Sequence, residues 1–142
     1  MTNFDENEKI KMLGHIPSHL SELPIYKQAM QIFILSRSIS TYLNQDLAIL
    51  NENGVEDADI YFSGDIVQQS VSLAPEIINA ELERASDKKH KHVASVRHLT
   101  NRLYKNCKRL ERSNSNGKDY IPILRKELKT FRKLQASWML TL

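Results

Sequence analysis

The chain has 142 residues, 41% of them hydrophobic and 26% charged, with one cysteine, four glycines and four prolines. That is long enough to bury a core in one domain without disulfides or a metal, too apolar for a disordered chain, and too poor in turn-forming residues for an all-β fold. The net charge of +3 hides a division: residues 1–83 hold 4 Lys/Arg against 13 Asp/Glu, and residues 84–142 hold 16 against 4, an asymmetry that points to a polyanionic partner for the second half.

Residues 1–20 read as a polar leader, loosely attached or carrying a short helical turn, with Gly14, Pro17 and Ser18 interrupting any long periodicity. It has no apolar stretch of signal-peptide type, no run in the chain approaches the roughly 20 residues that cross a bilayer, and the lone Cys107 has no intrachain partner. These features predict a cytoplasmic protein with no membrane partner. Residues 21–142 form the predicted domain.

The first helix is predicted to begin between Ser21, a capping residue, and Pro24, whose missing N–H is harmless in a first turn. Ile25, Ala29, Ile32, Ser36, Ile39, Leu43, Leu47 and Leu50 then recur at helical spacing. Tyr26, Met30, Phe33 and Ile34 widen the apolar surface to a second side. One bundle core covers one side of a helix, so these four are the expected oligomer interface.

Gly54 and the acidic cluster Glu52, Glu56, Asp57 and Asp59 mark a loop. A second helix is predicted from about Ser63 to Arg84, with Ile66, Val67, Leu73, Ile77, Ile78 and Ala80 as its core. Pro75 cannot donate to the Val71 carbonyl, which predicts a kink or local break. Ser86 or Asp87 is the expected cap of a third helix running to about Arg112, with a seam of Val93, Val96, Leu99, Leu103, Cys107 and Leu110. Ser113 to Lys118 reads as a turn. Asp119 is the expected cap of a fourth helix with Ile121, Leu124, Leu128, Phe131, Leu134 and Trp138 as its stripe. The expected fold is all-α: an antiparallel four-helix bundle with a kinked second helix and a polar N-terminal leader.

No catalytic constellation is present. The glycines are isolated, so there is no phosphate-cradling loop. Cys107 lies on an apolar seam, where a thiol is inert. His90 and His92 are two apart and do not share a helix face, and His15 and His19 fall in the leader. No Glu-x-x-His occurs, which excludes the di-iron bundle pattern. The expectation is a non-enzyme with no cofactor and no metal.

Basic stripes are the strongest local signal. Lys88, Lys91, His98, Arg102, Lys105, Arg109 and Arg112 follow helical steps in the third helix, flanked by Arg97 and Lys108. Arg125, Lys129 and Arg132 align in the fourth, flanked by Lys126 and Lys133. A solvated face ordinarily mixes signs, because oppositely charged neighbours one turn apart stabilise it. A one-sign face repels itself until a polyanion binds. These fourteen residues are the expected nucleic-acid surface, with Tyr104 and Asn101 able to touch bases or sugars.

Several segments resemble a known family. Leu23-Pro24-Ile25-Tyr26-Lys27 at the first helix, Ala85-Ser86-Asp87-Lys88-Lys89 opening the third, and Arg132-Lys133-Leu134-Gln135-Ala136-Ser137-Trp138 near the end are similar to the accessory variability determinant (Avd) proteins of diversity-generating retroelements. Val71-Ser72-Leu73 with Pro75 and Ile77-Ile78 resembles the second helix of the wider four-helix-bundle group, the 23S rRNA intervening-sequence proteins; its proline is one position displaced. The long acidic loop after the first helix, and Ala136-Ser137 in place of a Gly-rich version, depart from the pattern. The resemblance covers about residues 23–140, and its weight lies in the order of the segments.

What it implies is a non-catalytic accessory subunit, assembled as a homopentamer. Its expected partners are a reverse transcriptase and template RNA or an RNA/DNA hybrid, in support of mutagenic cDNA synthesis. Two alternatives keep the fold: a member of the intervening-sequence group that binds RNA, and a purely protein-binding helical adaptor.

Overall fold

The computed structural model describes residues 16–50 and 52–142. Most of the expected leader, His15 included, lies outside the described residues. Those described form a short helical turn at Ser18–Ser21 and five α-helices: α1 (Pro24–Leu47), α2 (Asp59–Val71), α3 (Leu73–Leu82), α4 (Ser86–Leu110) and α5 (Ile121–Met139). A 3-10 turn at Asn116–Tyr120 leads into α5, and no strand occurs among the described residues. The described part of the chain is all-helical in its regular structure.

Helix α1 starts at Pro24, where φ is already fixed for a helix. Ser21 does not cap it; its hydroxyl donates to the Ser18 carbonyl at 2.8 Å. Ile25, Ala29, Ile32, Ser36, Ile39, Leu43 and Leu47 are buried as the spacing predicts. Leu50 is not core: the helix ends at Leu47, and Leu50 is 56% exposed. Gly54 carries φ +74° in the following loop, a conformation that favours glycine.

The predicted second helix is two elements. Helix α2 begins at Asp59 rather than near Ser63, its first N–H groups partly met by the Asp57 carboxylate, which accepts from Asp59 N at 2.9 Å. Ser63 is buried one turn inside, its hydroxyl 2.8 Å from that of Ser40 on α1. The chain divides at Ser72, three residues before Pro75. Pro75 therefore sits in the first turn of α3, where its lack of a donor leaves no helical bond unmade.

Neither Ser86 nor Asp87 caps α4. Ala85 holds the cap position without a side-chain bond, and Asp87 lies in the first turn, where its charge suits the helix dipole. The 3-10 turn is capped by Ser115, which accepts from Gly117 N at 3.0 Å and donates to Asp46 of α1 at 3.0 Å. Asp119 does not cap α5; Tyr120 precedes its first residue and Pro122 occupies the first turn.

Helix α1 packs on α2 and α5, and α4 packs on α2, α3 and α5. Val93, Val96, Leu103, Cys107 and Leu110 of α4, and Ile121, Leu124, Leu128, Phe131 and Trp138 of α5, are buried; Leu99 and Leu134 are half-buried. Each fully buried large side chain contributes about 1.5–3 kcal/mol relative to exposure. No helix among the described residues is long and apolar enough to cross a membrane.

Candidate nucleic-acid interface

The buried seams of α4 and α5 leave the opposite faces of these helices outward. Lys88, Lys91, Arg97, His98, Arg102, Lys105, Lys108 and Arg109 of α4 and Arg112 just after it are all exposed, as are Lys126, Lys129, Arg132 and Lys133 of α5. Arg125 alone of the expected surface residues is half-buried. Arg109 and Arg125 are the only two of these cations that form an ion pair with a carboxylate among the described residues.

The stripe of α4 serves two neighbourhoods. Arg109 turns to the start of α2, where Nε donates to Asp59 at 3.2 Å and the guanidinium lies 4.1 Å from the Phe62 ring centroid. Lys108 lies 5.2 Å from the ring centroid of Tyr104, one turn earlier on the same helix. From α5, Arg132 covers the same ring at 4.3 Å and Arg125 stands at 5.4 Å. Three cations thus surround one tyrosine. Cation–π attraction to each is worth about 0.5–1 kcal/mol at exposed sites, enough to orient a flexible side chain.

Hydrogen bonds fix two of them further. Arg125 donates to both oxygens of Glu111 at 2.9 and 3.0 Å and to the Tyr104 hydroxyl at 3.4 Å. Arg132 donates to the Asn101 amide oxygen at 3.2 Å. The bond from Arg125, then the charges of Arg125, Lys129 and Lys108, hold the Tyr104 phenol below its ordinary value against opposing desolvation. Tyr104 and Glu111 likewise hold the Arg125 guanidinium firmly protonated.

Other side chains of chemical interest do not touch the Tyr104 ring. Cys107 is buried, with its thiol pushed up to about 12 by desolvation and by Glu111, partly offset by Arg125. His92 meets a carboxylate that its own helix does not supply: Glu76 of α3, 2.9 Å away. No group of three or more potential metal ligands occurs among the described residues. A cleft of about 320 Å³ beside the 3-10 turn is lined by Tyr42, Gln45, Asp46, Asn116, Gly117, Asp119 and Tyr120, a carboxylate-bearing wall unsuited to phosphate. The expected interface residues Tyr26 and Met30 are half-buried against the core, Phe33 is half-buried with Arg37 over its ring, and Ile34 is 56% exposed.

The charge count found the basic surface, but not its focus on Tyr104, which depends on how α4 and α5 pack. Family models, curated proteins and solved structures were compared with the chain, and none matches it.

Proposed function

We propose that the protein is a non-catalytic nucleic-acid-binding scaffold. The observation that carries this reading is the row of exposed cations along α4 and α5, nearly all without a carboxylate partner among the described residues. Such a surface lowers its own repulsion by taking up a phosphate backbone. The finer architecture proposed is an antiparallel four-helix bundle, with α2 and α3 together as one kinked member. Gln28 near the start of α1 bonds to Glu127 within α5, and Gly117, just before α5, lies against Leu43 near the end of α1; both contacts support opposed directions.

The segment resemblances support a narrower assignment: a cytoplasmic accessory subunit of a diversity-generating retroelement. It would bind reverse transcriptase and template RNA, and assemble as a pentamer through α1. A reverse-transcriptase gene beside its own is the quickest check of that assignment. The protein-adaptor reading is favoured by one observation, the exposed Ile34, Tyr42, Tyr120 and Ile123 on α1, the 3-10 turn and α5.

The test is filter binding of single-stranded RNA across a salt series. Log affinity falls linearly with log salt, with a slope of about −0.7 per phosphate neutralised. Arg102→Gln with Lys105→Gln is expected to flatten the slope by about 1.4. Adding Arg109→Gln should change it less than either, because Arg109 already faces Asp59. Circular dichroism should stay unchanged, since exposed charges contribute little to stability. RNA binding with the parent's slope in the double variant would make this stripe a solvated face and favour the adaptor.

A further inference from the structure

We infer that the Tyr104 cluster shared by α4 and α5 is a phosphodiester clamp for a single strand, in which the Tyr104 hydroxyl donates directly to a phosphate oxygen. The inference rests on the nucleic-acid reading above and names the atom at its centre.

Two rows of side chains meet where α4 packs on α5. Asn101, Tyr104 and Lys108 of α4 and its C-cap residue Glu111 lie at steps of three and four; Arg125, Lys129 and Arg132 lie at steps of four and three along α5. Contacts join Asn101 to Arg132, Tyr104 to Arg132 and Arg125, and Glu111 to Arg125. The row on α4 spans about 15 Å at the helical rise, long enough for a short stretch of backbone. Its one carboxylate, Glu111, is at one end and is already engaged by Arg125.

The chemistry of the phenol decides what the centre accepts. A tyrosine hydroxyl accepts and donates. Here Arg125, itself a donor without acceptor capacity, donates to the oxygen and leaves the phenolic proton to point elsewhere. Lys108, Lys129 and Arg132 offer no acceptor to take it, because ammonium and guanidinium groups only donate. What satisfies that proton while relieving the repulsion among the cations is an anionic oxygen. Such charge-assisted bonds are about twice as strong as neutral ones. Arg132 lies over one face of the ring, and the hydroxyl is the contact the clamp uses.

Tyr104→Phe removes this oxygen and keeps the ring beneath Arg132. Single-stranded RNA should bind it about tenfold more weakly, the loss typical of a hydrogen bond to a charged group. The salt slope should not change, since the phenol carries no charge. Lys129→Gln should instead flatten the slope by about 0.7. Parent-like affinity in Tyr104→Phe, with the slope still flattened by Arg102→Gln and Lys105→Gln, would overturn the clamp and leave the broader reading standing. A loss of affinity with a flattened slope would mean that the phenol only positions the cations, which also overturns it. No binding by the parent would overturn both readings. Displacement of the strand by millimolar inorganic phosphate at matched ionic strength would make this a site for the free ion and overturn the clamp. A second measurement needs no variant. Saturating the parent with oligodeoxythymidylate, stable in alkali, should move the Tyr104 phenol's titration, followed by ring-carbon NMR, to higher pH. An unmoved titration would overturn the proposal.

Discussion

The Cys107 thiol is fully buried, and desolvation raises its ionisation from 9.0 to about 12. In the unfolded chain the same thiol ionises near the ordinary value, so the difference acts on stability. A raised folded value gives stability that is complete below pH 9 and is lost as pH rises towards 12. Cys107→Ala should therefore cost about 1–2 kcal/mol near neutrality through the small cavity it leaves. Melting curves of parent and variant should converge between pH 9 and 11; a constant gap would place the thiol in contact with water. The same residue shows what the sequence made legible. Its place on a seam stepping by three and four predicted burial. Its electrostatic neighbours Glu111 and Arg125 were not predicted: one is the residue that caps the end of α4, and the other reaches it only through the packing of α5.

Periodicity located the interiors of the elements better than their ends. The seams of α4 and α5 repeat on one face, and burial follows them residue by residue except at Leu99 and Leu134. Leu50 continues the period of α1 after its helical bonds have stopped, and spacing alone cannot register where the bonding ends. Ser63, a familiar cap type, is interior because its hydroxyl finds Ser40 across a helix interface. The turn before α5 depends on a contact that no local pattern announces. A Cβ on Gly117 would stand 2.9 Å from Leu43 N and 3.1 Å from the Tyr42 carbonyl carbon, both backbone atoms that cannot step aside. Gly117→Ala should thus destabilise the fold by about 1–3 kcal/mol. Urea unfolding reads the loss, and a neutral result would show that the turn can lift away from α1.

At the scale of the molecule, α4 separates two electrostatic environments. On one side it meets α2 and α3, whose Asp59 and Glu76 hold Arg109 and His92; on the other it meets α5, where cation faces cation around Tyr104. The division of charge along the chain was plain in the sequence. Its spatial form depends on which helices become neighbours. The exposed side of α1 belongs to the same scale. Ile34→Glu should leave helicity unchanged, since Ile34 is 56% exposed, and should lower the mass seen by light scattering if α1 joins subunits. An unchanged mass would remove Ile34 from any interface. One further property follows from Trp138, the chain's single tryptophan, which is almost wholly buried and donates from Nε1 to Glu81 of α3 at 2.7 Å. All indole emission from this protein therefore originates at one seal between the end of α5 and the end of α3. A red shift that precedes the loss of helical signal on heating would report that the last turns of α5 peel off before the rest melts.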